Sequence, residues 1–206
     1  MRQTELLREA LRVFADPSTR APLTFTARSM AGFGNEQFIM RDGDDLPLPL
    51  LELAVEGWEI RLSPYRIEGG IAGPLVAAVV VLRPEYETDR GTAHPDITAA
   101  GQAAVCAALA RMPTPSLLVD GRHEVVAAWR LAKPLSTRDG RVVCVRLAEA
   151  LGADPDGPDE PLTWTVPVAG VVRNWTTIEP SLVRVIAADP LREYSLRDLT
   201  PKDVTS

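Results

Sequence analysis

The chain is poor in the residues that most often announce chemistry. Its 206 residues include two cysteines and two histidines. Cys106 and Cys144 each sit in an apolar helical pattern, and nothing around them has metal-ligand spacing. Both therefore read as small buried hydrophobes, and no disulfide framework is expected. Lysine occurs only at Lys133 and Lys202, so positive charge is nearly all arginine, which suits bidentate phosphate contacts. No apolar run reaches the roughly eighteen residues of a membrane span. Met1-Arg2-Gln3-Thr4-Glu5 leads into an amphipathic pattern with no secretory hydrophobic region, and a cytoplasmic location is the expectation. A Walker A loop, a Gly-x-Gly-x-x-Gly turn, a zinc pattern and a Gly-x-Ser-x-Gly elbow are all missing. Gly32-Phe33-Gly34-Asn35-Glu36-Gln37 has glycines but no following lysine, and it reads as a loop.

What is present is the makeup of one sizeable globular domain, residues 1–206, with 46% apolar and 24% charged residues. The net charge of −6 argues against a broad basic surface for nucleic acid while leaving room for a local one.

The hydrophobic pattern predicts a helix over about 5–15, with Leu7, Leu11 and Phe14 on one stripe. Strands follow over 23–27 and 37–40, then a short helix over about 49–56. Trp58-Glu59-Ile60-Arg61-Leu62 alternates like a half-buried strand. Leu75 to Leu82 is continuously apolar, as a central strand buried on both faces would be. A helix over about 97–112 is apolar nearly all round and is expected to be well buried. Residues 116–119 and 125–129 are strands around the turn Asp120-Gly121-Arg122-His123, with Trp129 in the core. Thr137 starts a helix whose Val143, Leu147 and Leu151 share a face and which Gly152 stops. An acidic loop (153–161), strands near 163–168 and 181–186, and a short C-terminal helix after Asp189-Pro190 complete the reading. Hairpins and helices intercalate, so the fold class is α+β, with a mixed or antiparallel sheet and packed helices.

Four stretches, taken in order, resemble the catalytic domain of the archaeo-eukaryotic primase (primase–polymerase) superfamily, as found in plasmids and phages. "WEIRLSPY" (58–65) is similar to the strand before that family's metal-binding strand. "VAAVVVLRPEYE" (76–87) sits where the family has an apolar strand ending in paired acids. "PSLLVDGRHEVVAAW" (115–129) is similar to its histidine-bearing strand–turn–strand. "LAEALGADPDGPDEPLTWTVPVAGVVRNW" (147–175) looks like its helix, Gly-Ala-Asp-Pro loop and final segment. The resemblance covers roughly residues 55–190 and leaves 1–50 as an N-terminal extension. It implies an RNA-recognition-motif-like core and a role in DNA replication on a mobile element or phage.

In such an enzyme two Mg²⁺ or Mn²⁺ ions, held by carboxylates, activate a primer hydroxyl and neutralise the triphosphate. The resemblance gives that role to Glu85, Glu87 and Asp154, with Glu85 and Glu87 as metal ligands. It gives nucleotide binding to Arg122, His123 and Arg173, with Arg130 also facing the nucleotide. Partners would be single-stranded DNA and nucleoside triphosphates, with a helicase or replication protein alongside and no membrane. The departures are concrete. The strand runs into Leu82-Arg83-Pro84 before its first acids, Glu85 and Glu87. His123 fits Gly-x-His, but counting back from Trp129 puts Val126 at the family histidine's position. Three readings follow: a degenerate, non-synthesising relative that needs no metal; an active metal-dependent primase; or an unrelated α+β binding module.

Overall fold

In a computed structural model of the protein, the chain is described over residues 3–15, 23–29, 35–40, 50, 52–53, 58–68, 71–83, 99–121, 124–153, 166–172 and 181–199. The elements in chain order are α1 (Gln3–Phe14), β1 (Leu23–Ser29), β2 (Asn35–Met40), β3 (Trp58–Leu62), β4 (Tyr65–Glu68), β5 (Ile71–Leu82) and α2 (Ala99–Ala110). After them come β6 (Leu117–Asp120), β7 (Val125–Leu135), α3 (Thr137–Leu151), β8 (Val166–Val172), β9 (Ser181–Leu182), β10 (Arg184–Ala188) and β11 (Glu193–Tyr194). The strands form two sheets, ordered β2-β1-β3-β8-β9 and β10-β6-β7-β5-β4. Pairing is antiparallel except at β11, which adds to β7 in parallel at Arg130 and Leu131, beyond the stretch that β6 covers.

The apolar run of β5 follows from its place. Ala78, Val80 and Leu82 face a core shared with Cys144, Leu147, Ala148 and Leu151 of α3. Ala77 and Val79 face a second core, made with Leu7, Leu11 and Phe14 of α1 and with Ile60 and Leu62 of β3. With both faces covered, no position is left for polar alternation, and this holds although the strand is antiparallel. Between Leu75 and Ala77 the register against β7 shifts. Leu75 belongs to the α3 side, whereas Val76 and Ala77 both belong to the α1 side, as a bulge requires.

The α+β class, the central strand, the two strands flanking Asp120-Gly121 and the helix from Thr137 to Gly152 are as the sequence predicts, although β7 runs on to Leu135, past the predicted end at 129. Helix α3 starts on Ser136, whose hydroxyl accepts from the Asp139 N–H, and ends on Gly152 in the left-handed region at φ 69°.

Four expectations fail. Helix α2 is not well buried: among its described residues only Gly101 is buried, and Val105, Ala108 and Leu109 are half-buried against the α3-side core. Cys106 is exposed rather than a buried hydrophobe. Alanine has the highest helix propensity and little apolar surface to hide, so this helix forms without being covered. Asn35-Glu36 belongs to β2 and not to a loop, because pairing with Ala27 and its neighbours on β1 overrides weak strand propensity. Among the described residues after Asp189-Pro190 there is no helix; the chain makes a turn, β11 and a second turn that sinks Leu199 into the α3-side core. Backbone pairing with β7 and bonds from Asp189 N–H to Ser116 O and from Arg192 Nη1 to Pro115 O fix that path.

Candidate nucleotide and metal site

The resemblance puts acids at the end of β5 and an imidazole at the start of β7, and the sheet brings these two strand ends together. Leu82 pairs with Val125, and Val81 with Val126. On the other side of β7, Asp120 pairs with Val125 and Val119 with Val126. The hairpin closes through a bond from Gly121 N–H to Glu124 O of 2.9 Å. Glycine fits there because a Cβ would stand 3.1 Å from the Glu124 Cγ.

The inward-facing residues at this junction are apolar. Val126 is 0% exposed and packs among Val79, Val119 and Leu117 in the α1-side core. Leu82 and Val125 are buried in the α3-side core. Glu85, Glu87, Arg122, His123, Asp154 and Arg173 all lie outside the described residues, as do His94 and Trp164. Among the described residues no three His, Cys, Asp or Glu side chains come together as a metal site. The described ends of β5 and β7 carry Leu82, Val125 and Val126, and the carboxylates described beside them are Asp120 and Glu124.

The charge near the junction is organised otherwise. Ile60 and Leu62 of β3 point into the α1-side core, so Glu59 and Arg61 share its other face. Glu59 is only 4% exposed, and its carboxylate accepts from Arg61 Nη1. Arg61 Nη2 stands 3.7 Å from Glu124, at the root of the hairpin in the other sheet. Arg61 gives this buried carboxylate its partner while reaching across the two sheets. Sequence reasoning passed over this trio. Its local signal is the Glu-x-Arg spacing in an alternating strand; Glu124, sixty-odd residues away, has none.

Arg130, which the resemblance turns toward the nucleotide, is engaged by structural partners. It has the parity of Val126 and Ala128, lies on the α1 side and is 9% exposed. Its Nη1 donates to the Arg12 carbonyl at the end of α1, and its Nε pairs with Glu193 at 3.0 Å. The guanidinium thus satisfies a helix C-terminus and fastens β11, a structural use of its several donors. Beside it, Ser116 Oγ accepts from Arg130 N–H and donates to Arg192 O at 2.7 Å. Trp129, 0% exposed, packs on the α3 side with its indole N–H bonded to Pro113 O, as a core residue should.

No family model matches this chain, and no curated protein matches it. Among solved structures it is similar to the primase–polymerase domain of cyanophage S-2L, with a TM-score of 0.60 at 13% identity over 97% of this chain and 98% of that one. It is also similar to the primase RepB', with a TM-score of 0.62 at 13% identity over 92% of this chain and 57% of that one. The RepB' catalytic domain in complex with initiator DNA gives a TM-score of 0.61 at 12% identity over 92% of this chain and 87% of that one. The chain therefore has the primase–polymerase fold.

Proposed function

We propose that this chain acts in DNA replication of a plasmid, phage or integrated element as a primase–polymerase-like protein that binds DNA without making primers. One observation supports the loss of synthesis: Val126, where counting back from Trp129 puts the family histidine, lies in an apolar core beside Val81 and Val119. A core valine can neither contact a triphosphate nor be replaced by an imidazole without burying an unpaired polar ring. The apolar residues that end β5 support the same reading. DNA binding is carried over from the fold's likeness to a primase solved with initiator DNA. A cytoplasmic location and a replication protein such as a helicase as partner fit that role. Among the described residues no helix is long and apolar enough to cross a membrane.

The rival reading is an active primase in which Glu85 and Glu87 hold Mg²⁺ or Mn²⁺, with Asp154 as a further acid and Arg122, His123 and Arg173 on the triphosphate. One assay separates the two. Primer synthesis on a single-stranded template with nucleoside triphosphates and Mn²⁺ should give no product with the natural chain. Product from the natural chain that disappears in Glu85→Ala/Glu87→Ala would sink our reading and establish the rival.

A further inference from the structure

The outer face of α3 and the neighbouring end of β7 gather positive charge. Lys133, Arg138, Arg141 and Arg146 are all exposed. Lys133 lies on the exposed stretch of β7 just before α3, past Leu131. The helix turns Gly140, Cys144, Leu147, Ala148 and Leu151 inward, which leaves the arginines on the outer side. Arg138 and Arg146 are separated by about 12 Å along the axis.

Two acids lie on this helix, Asp139 and Glu149. Asp139 is occupied at the cap, where its carboxylate accepts from Ser136 Oγ at 2.7 Å. Four arginines elsewhere have acidic partners, Arg12 with Glu9, Arg61 with Glu59, Arg130 with Glu193 and Arg192 with Asp189. The exposed Arg111, Arg184 and Arg197 form no such pair among the described residues. Among the described residues Lys133, Arg138 and Arg146 form no such pair. Val142, between the arginines, is 44% exposed and offers a sugar or base an apolar surface. In a chain of net charge −6 this is a local basic face, and charge complementarity selects a polyanion.

We propose that this face binds the phosphodiester backbone of single-stranded DNA without regard to base sequence. The proposal rests on the DNA-binding reading above and locates the contact on the far side of the sheet from α1 and the Arg61 trio. Cations that meet phosphates release condensed counterions, so the contact has a salt signature that a merely solvated face lacks.

The test is fluorescence anisotropy of a labelled oligothymidylate over a salt series. It compares the full chain, Lys133→Gln/Arg138→Gln/Arg146→Gln, and a control that removes three exposed arginines from other elements, Arg111→Gln/Arg184→Gln/Arg197→Gln. The α3-face variant should weaken binding at least about tenfold at low salt and flatten the logarithmic salt dependence by about 2, given about 0.7 per phosphate contact. The control should stay near the natural chain. Equal loss in both variants would mean that net charge alone is read, and unchanged binding in the α3-face variant would put the contact elsewhere. Either result overturns the face while leaving DNA binding intact. No binding by the natural chain would overturn the DNA-binding reading itself. If the triple variant melts early, Lys133→Gln/Arg138→Gln carries the same test with a smaller change of slope.

Discussion

Helices α2 and α3 cover the same side of the six-stranded sheet, yet they use their residues in opposite ways. Helix α3 alternates arginine and hydrophobe with helical period, and it buries one face against β5 and β7. Helix α2 has no charged residue at all, yet it leaves Ala100, Gln102, Ala103, Ala104, Cys106, Ala107 and Ala110 exposed. How a helix seats depends on where its apolar residues recur, not on how many it has. A phase in the sequence tells the helix which side to bury, and a uniform run of alanine supplies none.

The largest test of that contrast is a matched truncation. Leu147 of α3 is 3% exposed, whereas Leu109 of α2 is half-buried. Leu147→Ala should lower unfolding free energy by about 2–5 kcal/mol through lost transfer energy and a residual cavity. Leu109→Ala should cost about 1 kcal/mol, since less apolar area leaves water. Urea denaturation of the two variants measures both, and equal costs would erase the distinction between the helices.

Glycine sharpens the contrast at the next scale. A Cβ on Gly140 of α3 would stand 2.8 Å from Leu75 Cβ and 2.9 Å from its Cδ2. Alanine gains about 1 kcal/mol of helix propensity over glycine, but here it would have to push β5 away. Overpacking costs of about 1–3 kcal/mol should win, so Gly140→Ala lowers the thermal midpoint. A raised midpoint would mean that α3 is seated less tightly on Leu75 than the distances state.

The same logic explains what the sequence made legible. Helix α3 could be read to its ends because Ser136, the buried stripe and Gly152 are local signals that agree. β5 could be read because burial on both faces writes itself as an unbroken apolar run. The split of the strands into two sheets could not be read, since Trp58–Leu62 and Leu75–Leu82 carry nothing that says which partners each will take. The engagement of Arg130 was missed for a related reason: its partners, the Arg12 carbonyl and Glu193, are remote in sequence and only the fold assembles them. At the candidate site, the count back from Trp129 pointed to Val126 and Gly-x-His to His123, and the structure adds that the valine lies in the core. The Arg61 bridge to Glu124 joins two sheets and has no local trace.

The smallest stability effect belongs to cysteine, and each of the two helices holds one. Cys106 on α2 is exposed and Cys144 on α3 is buried. Burial pushes the Cys144 thiol up to about 12, against a hydrogen bond from the Val79 backbone that favours the thiolate. Because the folded value lies above the unfolded one, the fold favours the neutral thiol. That contribution is complete below the unfolded pKa near 9 and is lost as pH rises towards 12. At mildly alkaline pH, iodoacetamide should therefore modify Cys106 readily and reach Cys144 only as fast as the protein opens. Cys106→Ser should leave stability within about 0.5 kcal/mol and remove the fast phase entirely. Rapid labelling that persists in Cys106→Ser would show that Cys144 is accessible, and the tight seating of α3 would have to be abandoned.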